Sequence, residues 1–146
     1  MSPRLLIADS NLRSRNVYAR FFKSCGYIVD TAADGLECIE RATDCEPDVL
    51  LVEADLPWGG VDGVLTCLAD QHDATVPKAV VIGDEVSGTM DRLAYHQSVV
   101  RCIPRPRRLR DLVRCLHWVR AAGPYERVTP VWNVVSRLCD VSRDIA

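Results

Sequence analysis

The sequence is short of long apolar runs: none approaches the ~20 residues that a membrane-spanning helix needs. The first ten residues, MSPRLLIADS, have too brief an apolar stretch, too soon followed by an acid, for a secretory signal. A cytoplasmic location with no membrane contact is the expectation. Metal-binding spacing is also lacking. The three histidines, 72, 96 and 117, are scattered, and none of the seven cysteines forms a CxxC pair. An odd number of cysteines among apolar neighbours suits reduced core thiols rather than a disulfide framework. No nucleotide fingerprint, Gly-rich phosphate loop or paired nucleophile and base is present, which argues against an enzyme. No helix-turn-helix or aromatic-basic motif is present either, so nucleic acid is not an expected partner.

What remains is an ordinary globular composition, 48% hydrophobic and 26% charged over 146 residues, enough to bury one core without staples. The net charge of −2 conceals an asymmetry. Residues 1–100 hold 8 basic and 16 acidic side chains, and residues 101–146 hold 10 and 4. The basic excess gathers in Arg105, Arg107, Arg108, Arg110, Arg114 and Arg120, a field that attracts acidic surfaces.

Short, uniformly apolar runs alternate with helical spacings. Arg4–Ala8, Tyr27–Val29, Val49–Glu53, Ala79–Gly83 and Val99–Ile103 are expected strands. Helices are expected over 11–25, with Val17, Phe21, Phe22 and Cys25 inward; over 34–44, with Leu36, Ile39 and Ala42 inward; from about Asp62; over 89–97; and over 107–121. Five strand–helix alternations with apolar strands predict an α/β fold, a five-stranded, doubly wound parallel sheet. Chemistry in such a sheet collects at the carboxyl ends of the strands, here Asp9-Ser10, Glu53 to Asp55, Gly83-Asp84 and Arg105.

With these residues in place, the sequence resembles a response regulator receiver domain of the CheY-like, flavodoxin-like kind. GYIVDTAADGLECIERATDCEPDVLLVE resembles the family's second strand, second helix and third strand. LLIADSN resembles its first strand, and IPRPRRLRDLVRCL its last strand and helix. The likeness takes in residues 1–121. Residues 122–146 lie beyond it as an extension. There Thr129-Pro130 suits a helix start, and Val131, Val134, Val135, Leu138 and Val141 recur at helical spacing, which predicts an additional C-terminal helix.

The resemblance implies a phosphoryl-accepting aspartate at the end of the third strand, acids on the first strand that help hold Mg²⁺, a hydroxyl on the fourth strand, and a lysine on the fifth. This sequence departs at each. Asp9 matches the first acid, and Ser10 replaces the second. Gly83 stands at the hydroxyl position, Cys102 where an aromatic switch residue is usual, and Arg105 at the lysine. Counting along the strand puts Glu53 at the acceptor position. Counting back from Asp62-Gly63 puts Asp55 there, so the loop carries two extra residues on one side or the other. The residues left for a divalent ion are Asp9, Glu53 and Asp55, a depleted set, and no other cofactor is implied. The expected function is a stand-alone atypical receiver in two-component (phosphorelay) signalling. It would act through a protein partner, a sensor kinase or downstream signalling protein, without normal aspartyl phosphorylation and with a permanent Glu53–Arg105 ion pair. The alternative is a working phosphoacceptor that uses Asp55 with Mg²⁺. A homodimer through the last helix or the extension is the further expectation.

Overall fold

The computed structural model describes residues 2–71, 76–83, 98–105 and 108–121. The expected helix over 89–97, Arg107, His72, His96 and the extension 122–146 lie outside the described residues. The elements are β1 (Arg4–Ala8), α1 (Leu12–Ser24), β2 (Ile28–Ala32), α2 (Gly35–Cys45), β3 (Val49–Glu53), α3 (Gly60–Asp70), β4 (Lys78–Gly83), β5 (Val99–Pro104) and α4 (Leu109–Ala121).

The five strands pair in parallel in the order β2-β1-β3-β4-β5. Strand order reverses between β1 and β3, and a crevice opens at such a point beyond the carboxyl ends of the two strands. β3 is buried along its whole length, as a central strand covered on both faces must be. Side chains alternate across the sheet. Leu6, Leu50, Val52, Ala79 and Val81 pack on one face with α2 and α3. Leu5, Ile7, Leu51, Val80, Ile82 and Ile103 pack on the other with Phe22 of α1 and Leu112, Leu116 and Val119 of α4.

The helix boundaries have local causes. Asn11 caps α1, its side chain accepting from the Ser14 amide at 3.0 Å, and Asp34 caps α2, accepting from the Glu37 amide at 2.8 Å. α1 is followed by Gly26 at φ +93°, and α2 closes on Glu46 in the left-handed region before Pro47. α3 begins at Gly60, two residues ahead of the expected start. Trp58, Gly59 and Gly60 take φ values of +64°, +80° and +65° in succession, and this lengthened turn delivers the chain into the helix early.

Two expected helix faces need correction. The buried residues of α1 are Ala19 and Phe22, whereas Val17 is 46% exposed and Cys25 is exposed. In α2, Cys38 and Ala42 are buried and Leu36 is 61% exposed. In α1 the inward stripe runs through Ala19 and Phe22, and in α2 through Cys38 and Ala42, each turned from the expected face.

Candidate functional site

β1 and β5 each send one residue past the strand, and β3 ends on one, in the phase of the face covered by α1 and α4. Ile7 is followed two residues on by Asp9, Leu51 by Glu53, and Ile103 by Arg105. The period-2 alternation of a strand therefore puts three charged side chains over the same end of the same face. Asp9 is 4% exposed and Glu53 7% exposed, two of the three buried charged or polar residues among those described.

A buried carboxylate needs partners. One Glu53 carboxylate oxygen, Oε1, accepts the Ser10 backbone N–H at 2.8 Å. The other, Oε2, faces Arg105 Nη2 at 3.6 Å, an ion pair longer than a hydrogen bond. The two side chains thus face each other as a charge contact, outside the reach of the forked hydrogen bond expected of them. Asp9 accepts the Asn11 amide at 2.8 Å, and its own backbone carbonyl accepts from Arg15 Nη1 at 2.8 Å. Burial pushes the Asp9 carboxyl up from 3.8, and the adjacent Glu53 carboxylate, within hydrogen-bond reach, adds to the rise. The Asn11 amide and the Arg105 charge oppose it. The Tyr18 hydroxyl is also pushed up, chiefly by burial, against the opposing charge and hydrogen bond of Arg105.

Glu53, not Asp55, is the acid at the strand end. The ladder runs on past Glu53, with the Ala54 amide bonded to the Ile82 carbonyl at 2.7 Å. Ala54 and Leu56 are buried in the α2/α3-side core, which leaves the intervening Asp55 exposed. Of the other candidates, Ser10 is exposed and contributes its backbone N–H rather than its side chain to the Glu53 contact. Gly83 ends β4 beside Pro104 and offers no hydroxyl. Cys102 is half-buried against the α2/α3-side core, on the opposite face of the sheet from the charged cluster.

Magnesium, the ion implied by the resemblance, does not fit this donor set. Asp9, Glu53 and Asp55 do not converge, since Asp55 points away. Among the described residues no group of three His, Cys, Asp or Glu side chains could hold a metal. Mg²⁺ demands near-octahedral oxygen ligation, whereas one Glu53 oxygen here already faces a guanidinium. The depleted set expected from the sequence is depleted further by geometry, and no step is derived through a metal.

Arg15 and Tyr18 were not singled out in the sequence, yet both belong to the site. With Ala19 and Phe22 they form an i, i+3, i+4, i+7 stripe, the spacing of the inward face of α1. That spacing was the available signal, and the larger apolar residues Val17 and Phe21 drew attention to the adjacent face.

No protein-family model matches the chain. Among curated proteins, the transcriptional regulatory protein PrrA of Mycobacterium leprae is 31% identical over 93 residues, which is 60% of this chain and 39% of that protein. A protein-glutamate methylesterase/protein-glutamine glutaminase of Anaeromyxobacter dehalogenans is 29% identical over 110 residues, 73% of this chain and 30% of that protein. The matches thus span about a quarter to two fifths of the length of these curated relatives. Among solved structures, the chemotaxis response regulator CheY4 of Vibrio cholerae superposes with a TM-score of 0.73 at 19% identity, covering 82% of this chain and 99% of that one. The structural neighbours are CheY-like response regulator receiver domains, and the chain has their fold. Among the described residues no helix is long and apolar enough to cross a membrane.

Proposed function

We propose that this chain is a receiver-type module of a two-component signalling system that works through protein–protein contact and without aspartyl phosphorylation. Its partner in this reading is a sensor kinase or a downstream signalling protein. It is not an enzyme, and it acts in the cytoplasm. The observation that carries the reading is the environment of Glu53: a buried carboxylate at the mouth of β3, held by the Ser10 amide and faced by Arg105.

The chemistry follows from the parts. A carboxylate that accepts a phosphoryl group needs an oxygen free for in-line attack and cations that neutralise charge on the incoming group. Glu53 has one oxygen engaged by an amide and the other beside a guanidinium. Glutamate is one methylene longer than aspartate, so its charge stands closer to the place where a transferred group would sit. A guanidinium is a planar, delocalised cation suited to facing a carboxylate. Together they supply a fixed negative charge with a fixed counter-ion, and the surface around them has no covalent event to wait for. Asp55, exposed and outside the cluster, lacks the neighbours that would activate it.

Beryllium fluoride with Mg²⁺ tests this on the full chain, because the complex mimics an acyl phosphate on a receptive carboxylate. The expected result is no bound fluorine resonance in ¹⁹F spectra and no change in tryptophan emission, with Trp58 in the adjoining loop as the reporter. A stoichiometric bound species would overturn the reading.

A further inference from the structure

Trp58 is the most exposed large apolar side chain among the described residues, at 76%, and Leu36 is 61% exposed. The backbones of Gly35 and Trp58 touch. The Gly35 amide donates to the Pro57 carbonyl at 2.8 Å, and the Trp58 carbonyl oxygen stands where a Cβ of residue 35 would be. That contact brings Leu36, in the first turn of α2, beside the β3–α3 turn that carries Trp58. Trp58 also sits at φ +64°, a conformation strained for a bulky side chain and free of strain for glycine, the residue at the next two positions. An exposed indole on a strained backbone meets two costs in the isolated chain, and such an outlier points to a contact made outside it. We propose that Trp58 and Leu36 form a docking surface for a protein partner, a segment in which an arginine or lysine stands beside an apolar side chain.

The charges around the pair select this occupant. Residues 30–40 and 53–63 hold seven acids and no lysine or arginine. Asp55 lies in the turn and Asp62 in the first turn of α3. Both are exposed, and neither makes an ion pair among the described residues. The first base along α2, Arg41, faces Glu37 at 3.9 Å. A field of one sign attracts the other. The indole adds to it, since a guanidinium or ammonium is drawn to the negative face of the ring. The chain makes that pairing within itself, with Arg101 lying 3.8 Å from the centre of the Trp118 ring. The same acids repel nucleic acid and an anionic lipid surface, which leaves a basic, partly apolar protein segment as the occupant. Tryptophan and arginine are also the side chains enriched among those that carry the binding energy of protein contacts.

The surface is separate from the charged cluster. Ala54 and Leu56, which bracket Asp55, pack on the α2/α3 side, whereas Glu53 lies over the α1/α4 side of the sheet. The proposal rests on the reading of this chain as a contact module only in taking a protein as the ligand. Whether Glu53 accepts a phosphoryl group leaves it unchanged.

Two blocked peptides test it on the ¹⁵N-labelled full chain, one alternating arginine with leucine and the other glutamate with leucine. The Trp58 indole N–H resonance, identified by its loss in Trp58→Phe, is the readout. The arginine peptide should shift it saturably, together with the amides of Leu36 and Asp62. The glutamate peptide should bind at least about tenfold more weakly. Trp58→Ala, read on the Leu36 amide, should weaken the arginine peptide about tenfold or more, and Asp55→Asn combined with Asp62→Asn should weaken it by a similar factor. Both changes are at exposed positions, so the amides of β1 and β3 should keep their places. Four results would overturn the proposal: no saturable shift; equal binding of the two peptides; binding unchanged by these substitutions; or, without peptide, a Trp58 resonance that moves with concentration together with a dimer mass in light scattering, which would seat a second copy there.

Discussion

Arg105 reaches Glu53 at 3.6 Å although their strands are not neighbours, for β4 lies between β3 and β5. The pair therefore bridges the carboxyl end of the sheet rather than decorating one edge of it. Its two members are unequally placed, the Glu53 side chain being 8% exposed and that of Arg105 45%. Removing the exposed cation strands a buried carboxylate beside Asp9, whereas neutralising the carboxylate leaves a half-exposed arginine that still meets Tyr18 and water. Arg105→Ala is expected to cost about 1–3 kcal/mol. Glu53→Gln, which keeps an acceptor for the Ser10 amide and relieves the repulsion of Asp9, should stay within about 1 kcal/mol of the natural protein. Urea melts at neutral pH decide between this order and its reverse.

Asp9 gives a dependence on pH. An acid whose pKa rises on folding makes its stabilising contribution in full below its unfolded value, here 3.8, and loses it as pH rises through the folded value. At neutral pH the buried Asp9 charge is therefore destabilising. Asp9→Asn keeps the oxygen that accepts the Asn11 amide and is expected to raise the thermal midpoint at neutral pH. That gain should shrink as the pH of the melt falls toward the unfolded value.

Gly35 fixes the approach of the β3–α3 turn. Its amide donates to the Pro57 carbonyl at 2.8 Å, and a Cβ at position 35 would overlap the Trp58 carbonyl oxygen and press on Val64. The obstacle is backbone, so it cannot swing aside. Gly35→Ala is expected to destabilise by roughly 1–3 kcal/mol, the usual range for overpacking, and to alter the emission of Trp58. A neutral effect on both would show that the turn is not held by this contact.

The cysteines should separate by reactivity. Burial, with the Asp34 and Glu37 charges adding, pushes the Cys38 thiol up to about 12. Cys25 and Cys67 are exposed. Iodoacetamide under mildly alkaline, native conditions should alkylate Cys25 and Cys67 well before Cys38, as read by peptide mapping, because the thiolate is the nucleophile and access limits it.

The fold was legible in the sequence because its strands are short, apolar and bounded by acids, glycines and prolines. β1 and β3 have the bounds that their runs predict, and β4 and β5 differ by one residue. Helix orientation was less legible. Val17 and Leu36 match an inward spacing as well as Ala19 and Cys38 do, and size alone pointed to the wrong face. Tertiary contact with the sheet decides the phase of each helix, which a one-dimensional pattern does not express. In the site, Glu53 and Arg105 could be placed by counting along strands, whereas Tyr18 and Arg15 enter from a helix whose phase was set by tertiary contact. Asp55 was a rival only because loop length leaves no mark in a sequence. The buried Ala54 and Leu56 on either side turn it outward.

The central claim is that Glu53 supplies permanently what a modified aspartate would supply on demand. Incubating the full chain with acetyl phosphate and Mg²⁺ and measuring its intact mass tests this most directly. An unchanged mass is expected at every time point. A phosphoryl adduct labile to base and mapped to Asp55 or Asp9 would contradict it.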